Sequence, residues 1–489
     1  MDRRKKTVSQ KRPQEETNTP ANKRFKSSEA VSADTKATTN EHSSNKTAQQ
    51  PMKIYYTRLQ RHMEEEEKQA KLVPEPIVFT TKLTDVNADC LEHIFKRLSL
   101  TDLLNVANSN KQLKPAADLA FKSQFRKRSI KIDMERKIVG FSEEDTAEIL
   151  WSFRFKLLRC FGHLITKLEI AYVHKPSQED LKRAAHIDRY VNEYCADSLV
   201  EIRFEGCKAS TLDNLTKPFT QVETLGFVGC ELVSKLSELD KWFPKVRRLN
   251  FLRANELSGC NDIAVHFPNL LQLSLFLPFD EIFIDNNRLN EEHFAELLRL
   301  NPNVRSLFIY GYIDAKFFQS VSEHLQHLET LTICALDDDH ISDFGNDSVH
   351  FPSVKKLSLI NVVCERFPLT FDKLECLLAV LIDMDETLTN FISEHKTLTK
   401  LIYSGNEHGK EGALLKIASP ALVEVDFGYC AFPLDEVVTF MEKCTSLKKL
   451  SLGFNDEKDY KAVQNRLSKE WRGTNMKSIY DAIAVTMER

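Results

Sequence analysis

The 489-residue sequence lacks the signatures of enzymes and of membrane proteins. It has only 14 glycines and contains no GxSxG, HExxH, GxGxxG or Walker A motif, which argues against nucleophile elbows and phosphate-cradling loops. Its longest apolar run, Cys376–Ile382, is seven residues, whereas a membrane span needs roughly 20. The start, MDRRKK, lacks the apolar stretch of a secretory signal. We therefore expect a non-catalytic intracellular protein that needs no cofactor and enters no membrane.

The metal-ligating residue types show no metal-binding pattern either. The eleven cysteines form no CxxC pair or Cys/His cluster, and we expect reduced thiols that are mostly buried. His324 and His327, three apart on an apparent helix, are predicted to be a solvated pair rather than ligands. Asp337-Asp338-Asp339-His340 lacks the alternation and closing glutamate of a calcium loop, so it is predicted to be a polar turn.

Charge is unevenly distributed along the chain. Residues 1–50 carry eleven Lys/Arg and six Asp/Glu, so their net charge of +5 leaves −9 on the remainder of a chain whose total is −4. With few apolar groups, residues 1–78 are predicted to be a disordered basic tail. Two basic clusters ten residues apart resemble a bipartite nuclear localisation signal read by an import receptor: Lys11, Arg12, Lys23, Arg24 and Lys26. The alternatives are that they only solubilise the tail or touch nucleic acid weakly.

Residues 79–126 come after the tail and are predicted to form three short helices. Leu91, Ile94, Phe95 and Leu98 fall at i, i+3, i+4 and i+7, one face of a helix. Thr101 is predicted to cap the second helix, and Ser109 the third, with Pro115 in its first turns. Since forty residues cannot hide this much apolar surface internally, we expect part of it to be a partner site.

The same stretch resembles an F-box, the three-helix module by which substrate receptors dock onto the Skp adaptor of cullin-based SCF ubiquitin ligases. The resemblance rests on these residues: Leu83, Asp89, Leu91, Ile94, Phe95, Leu98, Asp102, Leu103, Val106 and Ala107. Thr84 stands where the family usually has proline, and Leu113 where tryptophan is common. The resemblance implies that the adaptor contacts are Leu83, Leu91, Ile94, Phe95, Leu98, Leu103 and Val106. The alternative is an ordinary helical cap buried within the chain.

From residue 165 onward a pattern of three apolar positions recurs. Two residues separate the first position from the second, and one residue separates the second from the third. Its successive copies lie 20 to 34 residues apart. The middle positions are Leu168, Ile202, Leu225, Leu249, Leu273, Leu307, Leu331, Leu357, Leu377, Leu401, Val425 and Leu450. Three residues after the third position stand Cys207, Cys230, Cys430, Asn406 and Asn455. Helical stretches separate the strands, such as 290–300 and 434–444.

This pattern resembles a leucine-rich-repeat protein, in which cysteine or asparagine at that position satisfies backbone where the chain leaves the strand. The resemblance implies an α/β solenoid of about twelve repeats over 165–489, with parallel strands on the concave face. Residues 127–164 are predicted to be a helical linker or N-terminal cap. At the other end a charged helix, 458–471, and a last strand around 479–487 are predicted to cap the array. An ordinary α/β domain fits the hydrophobicity but not the regular period.

Together the two resemblances imply a substrate-recognition subunit of an SCF ubiquitin ligase, in the nucleus, the cytoplasm or both. Its partners would be the Skp adaptor, the cullin scaffold and a protein target that the sequence does not identify. The alternative is a nuclear leucine-rich-repeat scaffold without a ubiquitination role. A nucleic-acid-binding protein fits least, because the chain beyond the tail is acidic.

The face for the target is predicted from strand alternation. Outward positions are polar at the start of the array (Glu201, Arg203, Glu205) and at its end (Glu424, Asp426, Lys449). The central outward residues, predicted to bind the target, are Phe276, Phe308, Tyr310, Ile360, Leu378, Val380 and Ile402. The alternatives are that the tail or a loop covers them, or that the register slips near Leu377. A projecting loop is also predicted at 278–287.

Overall fold

A computed structural model of the chain describes residues 82–141, 149–208, 210–230, 236–252, 265–277, 291–311, 315–335, 348–362, 366–405, 412–454, 457–466, 471–479 and 482–489. The basic tail and the loop at 278–287 lie outside these residues. Among the helices described, none is long and apolar enough to cross a membrane.

After a short 3-10 helix, Leu83–Asp85, the described chain begins with three α-helices: α1 (Ala88–Phe95), α2 (Leu100–Ser109) and α3 (Lys114–Phe125). The cap of α2 is Ser99, whose hydroxyl accepts a hydrogen bond from the Asp102 N–H at 3.1 Å, so the prediction of Thr101 as the cap was wrong. Ser109 was also wrong as a cap, because it ends α2 and its hydroxyl donates to the Val106 carbonyl. Pro115 does lie in the first turn of α3, where no N–H is needed.

These helices share a core with the next helix along the chain, α4 (Arg154–Phe161). Phe121 on α3 stacks on Phe161 of α4, with ring centroids 4.3 Å apart. Between α3 and α4 the structure places three strands: β1 (Ile130–Asp133), β2 (Ile138–Phe141) and β3 (Ile149–Leu150). The prediction of a helical segment over 127–164 was therefore incomplete, since the main sheet begins there.

The remaining strands are given in chain order. They are β4 (Lys167–Ala171), β5 (Glu201–Glu205), β6 (Thr224–Val228), β7 (Arg248–Leu252), β8 (Gln272–Leu277), β9 (Ser306–Gly311), β10 (Thr330–Cys334), β11 (Val349–Phe351), β12 (Lys356–Ile360), β13 (Leu369–Phe371), β14 (Cys376–Val380), β15 (Lys400–Ser404), β16 (Glu424–Ala431), β17 (Lys449–Phe454), β18 (Arg472–Ile479) and β19 (Ala482–Glu488). Most belong to one 17-stranded sheet, and β11 and β13 form a small parallel sheet of their own.

Parallel pairing joins β1, β4 to β10, β12 and β14 to β17 in succession. The twelve predicted strand centres, from Leu168 to Leu450, are opposite one another in this ladder, and each is 0–1% exposed. Leu377 pairs with Leu357 and Leu401, so the register does not slip there. The prediction of an α/β fold on a mostly parallel sheet is confirmed.

Helices connect many of these strands and lie on the side of the sheet that faces the core. They are α5 (Gln178–Cys195), α6 (Ser210–Asp213), α7 (Leu239–Trp242), α8 (Glu291–Leu300), α9 (Ala315–His324), α10 (Glu386–Glu394), α11 (Ala413–Lys416), α12 (Leu434–Lys443) and α13 (Glu457–Arg466). Because α9 ends at His324, His327 lies beyond it and the pair does not share a helix. The helices predicted at 290–300 and 434–444 are confirmed as α8 and α12.

Buried asparagines hold successive connections together. The Asn301 side chain accepts from the Phe267 N–H at 2.9 Å and donates to the carbonyls of Val265 at 2.7 Å and Leu297 at 2.8 Å. Where the chain leaves a helix or a connection, backbone groups lack a partner of their own. Here one buried amide satisfies three such backbone groups.

The sheet ends in antiparallel strands. β19 pairs antiparallel with β17, with Leu450 opposite Met487, and β18 pairs with the other edge of β19. The predicted last strand is thus confirmed over 482–487. The charged helix predicted over 458–471 is described over Glu457–Arg466, and Trp471 is not helical; the sequence analysis missed β18.

Candidate docking surfaces

The residues expected to contact an adaptor divide by exposure. Leu91, Phe95 and Leu103 are buried in the chain's own core, at 4%, 1% and 0% exposed. Leu98 and Val106 are half-buried. Leu83 and Ile94 are exposed at 46% and 47%, large fractions for aliphatic side chains. The three buried residues therefore support the helices from within, and the others supply the accessible apolar surface.

We call residues 82–125, which include Leu83 and α1 to α3, the helical unit. A further exposed leucine lies on it. Leu119 on α3 is 45% exposed, although the sequence analysis did not single it out. Its helix shows little amphipathic periodicity because alanines fill its buried side: Ala116, Ala117 and Ala120. The sequence signal was its position two residues after Ala117, which puts these two side chains on opposite sides of the helix.

The second surface is the side of the parallel sheet that faces away from the core, which we call the open face. All seven residues predicted to bind a target are half-buried on it and alternate with buried neighbours: Phe276, Phe308, Tyr310, Ile360, Leu378, Val380 and Ile402. Their predicted outward direction matches the structure, because successive strand side chains point to opposite sides. That they bind a target stays a prediction.

Five of the side chains on the open face form a continuous row across adjacent strands. Backbone pairing puts Phe276 opposite Tyr310, Tyr310 opposite Cys334, Cys334 opposite Ile360, and Ile360 opposite Val380. The rings of Phe276 and Tyr310 stack with centroids 4.5 Å apart and planes at 19°. We call these five residues the apolar row; Cys334 is its one member that sequence analysis did not name.

At both ends of the open face the charges are neutralised by neighbours. On the first strands, Lys131 pairs with Glu169 at 2.7 Å and Lys167 with Glu201 at 3.1 Å. On the last strands, the Glu424 carboxylate forms ion pairs with both Lys400 and Lys449, each at 3.0 Å. The hydrogen bonds from these two lysines, Lys400 first, lower the pKa of Glu424 below its ordinary value. Cross-strand pairs of this kind stabilise sheet ends modestly and leave little net charge there.

A buried carboxyl group lies away from both surfaces, on α5. Asp188 accepts a hydrogen bond from the Tyr172 hydroxyl at 2.6 Å and another from the Asn214 amide at 3.0 Å. Burial raises its pKa to about 7, against the effect of these hydrogen bonds. The adjoining cavity, lined also by Met134 and Lys208, measures about 30 Å³, room for a single water. Asp188 therefore links α5 to the residues that follow β4 and α6.

Of the residues named from the repeat pattern, Cys230 contacts backbone groups beside the strands, and Asn406 and Asn455 lie outside the described residues. The Cys207 N–H donates to the Cys230 sulfur at 3.2 Å, and that thiol donates to the Phe204 carbonyl at 3.3 Å. Burial raises the pKa of Cys207 well above the ordinary thiol value, which keeps it protonated. Within the part of the chain that the structure describes, no group of three His, Cys, Asp or Glu side chains is placed to hold a metal ion.

Comparison of the chain with known protein families and curated proteins found no match. No model of a known protein family matches the chain, and no curated protein matches its sequence. The F-box and leucine-rich-repeat resemblances therefore rest on the chain's own residues and their spacing. The residues of the nuclear localisation signal (11, 12, 23, 24 and 26), the 278–287 loop and Asp337 to His340 lie outside the described residues, so these three predictions stay open.

Proposed function

We propose that the protein is the substrate receptor of an SCF-type ubiquitin ligase. Its F-box-like helices would dock on the Skp adaptor, and its leucine-rich-repeat sheet would hold a protein target on the open face. The observation that carries the proposal is the exposed apolar surface of the helical unit at Leu83 and Ile94, supported from within by buried Phe95. Soluble proteins seldom expose several large aliphatic residues on one small unit unless a partner covers them.

The proposed mechanism is positional. The helical unit packs on α4 through the Phe121–Phe161 stack and shares one buried core with the sheet, so adaptor and target would be held in a fixed relation. A lysine of the target would then stay near the ubiquitin-charged enzyme carried by the cullin. Tethering of this kind raises effective concentration to about the millimolar range, so the receptor needs no reacting group of its own.

Adaptor binding is the direct test. The full-length chain is mixed with purified Skp adaptor, and complex formation is measured for wild type, Leu83→Asp and Ile94→Asp. A buried charge in an apolar interface costs several kcal/mol, so each variant should lose binding by at least about a hundredfold. The matched control is Leu415→Asp, since Leu415 is 41% exposed on α11, far along the chain.

The outcomes separate the alternatives. Loss of binding in the two helical-unit variants, with Leu415→Asp unchanged, supports the receptor. Failure of the wild-type chain to bind adaptor, or equal binding by all variants, overturns the F-box assignment.

A further inference from the structure

Leu381, directly after β14, has an unusual backbone for its residue type. Its φ is +54°, in the left-handed region that β-carbon crowding makes unfavourable for leucine. Its side chain is also 59% exposed, the highest fraction among the large apolar side chains of the described residues. Neither feature helps folding, because the conformation is strained and the side chain remains in water.

The same turn recurs after other strands with residues that suit it. Gly206, Gly229 and Asn361 come after β5, β6 and β12 with φ of +68°, +58° and +56°. The backbone contact is also shared: the N–H of Asn361 donates to Val380 O at 2.8 Å, and that of Leu381 to Ser404 O at 2.7 Å. Glycine and asparagine tolerate this region, so Leu381 departs from the residues that the turn favours.

Leu381 is the next residue after Val380, the last member of the apolar row, so a bound segment covering the row would reach it. Strain retained at an exposed residue beside an apolar surface points to a function for the side chain. A bound partner would bury the Leu381 side chain, which the described residues leave exposed.

The charges nearby indicate the chemistry of that partner. On the six strands β7 to β10, β12 and β14, the only charged residues are Arg248 and Lys356. Both are exposed cations, and among the described residues neither has an ion-pair partner; Arg248 only donates from Nε to the Thr224 hydroxyl at 2.9 Å. The lysines at the two ends of the open face, in contrast, are paired with glutamates. The centre is thus apolar, and the two charged residues on its strands are cations.

We propose that the centre of the open face binds a short acidic segment of a protein partner, with Leu381 as a specificity-determining contact for its apolar side chains. The inference rests on the proposed function, and it adds the chemistry of the target site. Lys356 and Ile360 lie on the open face of β12, and Leu381 directly follows Val380 of the neighbouring strand β14. Leu381 lies after β14 where Asn361 lies after the neighbouring strand β12. Lys356 and Asn361 are five residues apart, about 17 Å along an extended strand. A segment of about six residues therefore reaches from an acidic group at Lys356 to an apolar one at Leu381.

The probe is a phage-displayed library of random twelve-residue peptides, selected on the full-length protein. We expect selected peptides to be net negative, with an acidic residue about five positions from a large apolar one. Leu381→Asn should weaken their binding about tenfold while the variant melts no lower than wild type, because asparagine suits the turn. Lys356→Glu should also weaken binding about tenfold, and added salt should weaken the wild-type complex, since exposed charges are screened.

Two control variants make the test specific. Lys448→Glu reverses an exposed lysine before β17, about four strands from Lys356, and should leave binding unchanged. Asn361→Leu places leucine in the equivalent turn and should lower the melting temperature. Neutral or basic selected peptides, or undiminished binding by Leu381→Asn, would overturn the proposal.

The two proposals fail in different ways. A chain that binds adaptor but selects no acidic peptide keeps the receptor function and loses this inference. A chain that selects acidic peptides through Leu381 but binds no adaptor keeps this inference as a peptide-binding site and loses the ligase role.

Discussion

Neighbouring residues Ile94 and Phe95 give a sharp test of which apolar side chains support the helical unit and which face outward. Phe95 is 1% exposed, and its carbonyl accepts a hydrogen bond from the Gln124 amide of α3 at 3.3 Å. Ile94, one residue earlier on α1, is 47% exposed. The two alanine substitutions therefore change adjacent positions with opposite surroundings.

The expected magnitudes depend on burial. Phe95→Ala removes a fully buried ring and leaves a cavity, which costs about 3–5 kcal/mol. Ile94→Ala removes carbons that are already half in water, so it should cost less than about 1 kcal/mol. Phe95→Ala should thus loosen the helical unit and reduce adaptor binding indirectly. Ile94→Ala should leave the fold intact and reduce adaptor binding directly.

Hydrogen exchange of the amides in α1 to α3 separates these effects, since it reports local opening free energies. Exchange should accelerate strongly in Phe95→Ala and stay near wild type in Ile94→Ala. Adaptor affinity is measured on the same samples. Equal protection in the two variants would refute the placement of Phe95 in the core. Full adaptor affinity in a well-protected Ile94→Ala would remove Ile94 from the interface.

Two further predictions concern the rest of the chain. Asp188 has a folded pKa of about 7 against an ordinary 3.8, so its neutral form stabilises the fold and that stability is lost as pH rises from about 4 to 7, by at most about 4 kcal/mol. Denaturant midpoints of Asp188→Asn should lack this decline relative to wild type; parallel pH profiles would show that Asp188 is not buried as described. On β9, Leu307→Ala should cost about 2–5 kcal/mol, whereas Phe308→Ala should barely lower the melting temperature and should weaken target capture. A large stability loss in Phe308→Ala would place that ring in the core and remove it from the target site.

The regular part of the fold was predictable from the sequence. Alternation of apolar residues fixed the strand centres and their outward neighbours, because a strand turns successive side chains to opposite sides. The helices 291–300 and 434–443 were predictable for the related reason that their apolar residues repeat with helical period. Sequence also indicated the polar ends and apolar centre of the open face.

Tertiary structure decided the remainder. Strand β1 has only four residues, and its membership of the sheet depends on pairing with β4, which no local pattern encodes. Strand β18 was missed for the same reason. Sequence analysis predicted Thr101 as the cap of α2, whereas the cap in the structure is Ser99. The two residues are chemically similar, so only the backbone geometry decides which of them caps the helix.

The candidate surfaces show the same division. Periodicity placed Ile94 and Phe95 together on one apolar stripe, and only packing against α3 decided that the ring is buried and the isoleucine exposed. Leu381 lies in the unbroken apolar run Cys376–Ile382, and nothing in that run distinguishes it from its buried neighbours. Its exposure and positive φ arise from the turn after β14. Local sequence thus determines which residues are apolar and with what period, whereas the contacts between elements determine which of them remain accessible to a partner.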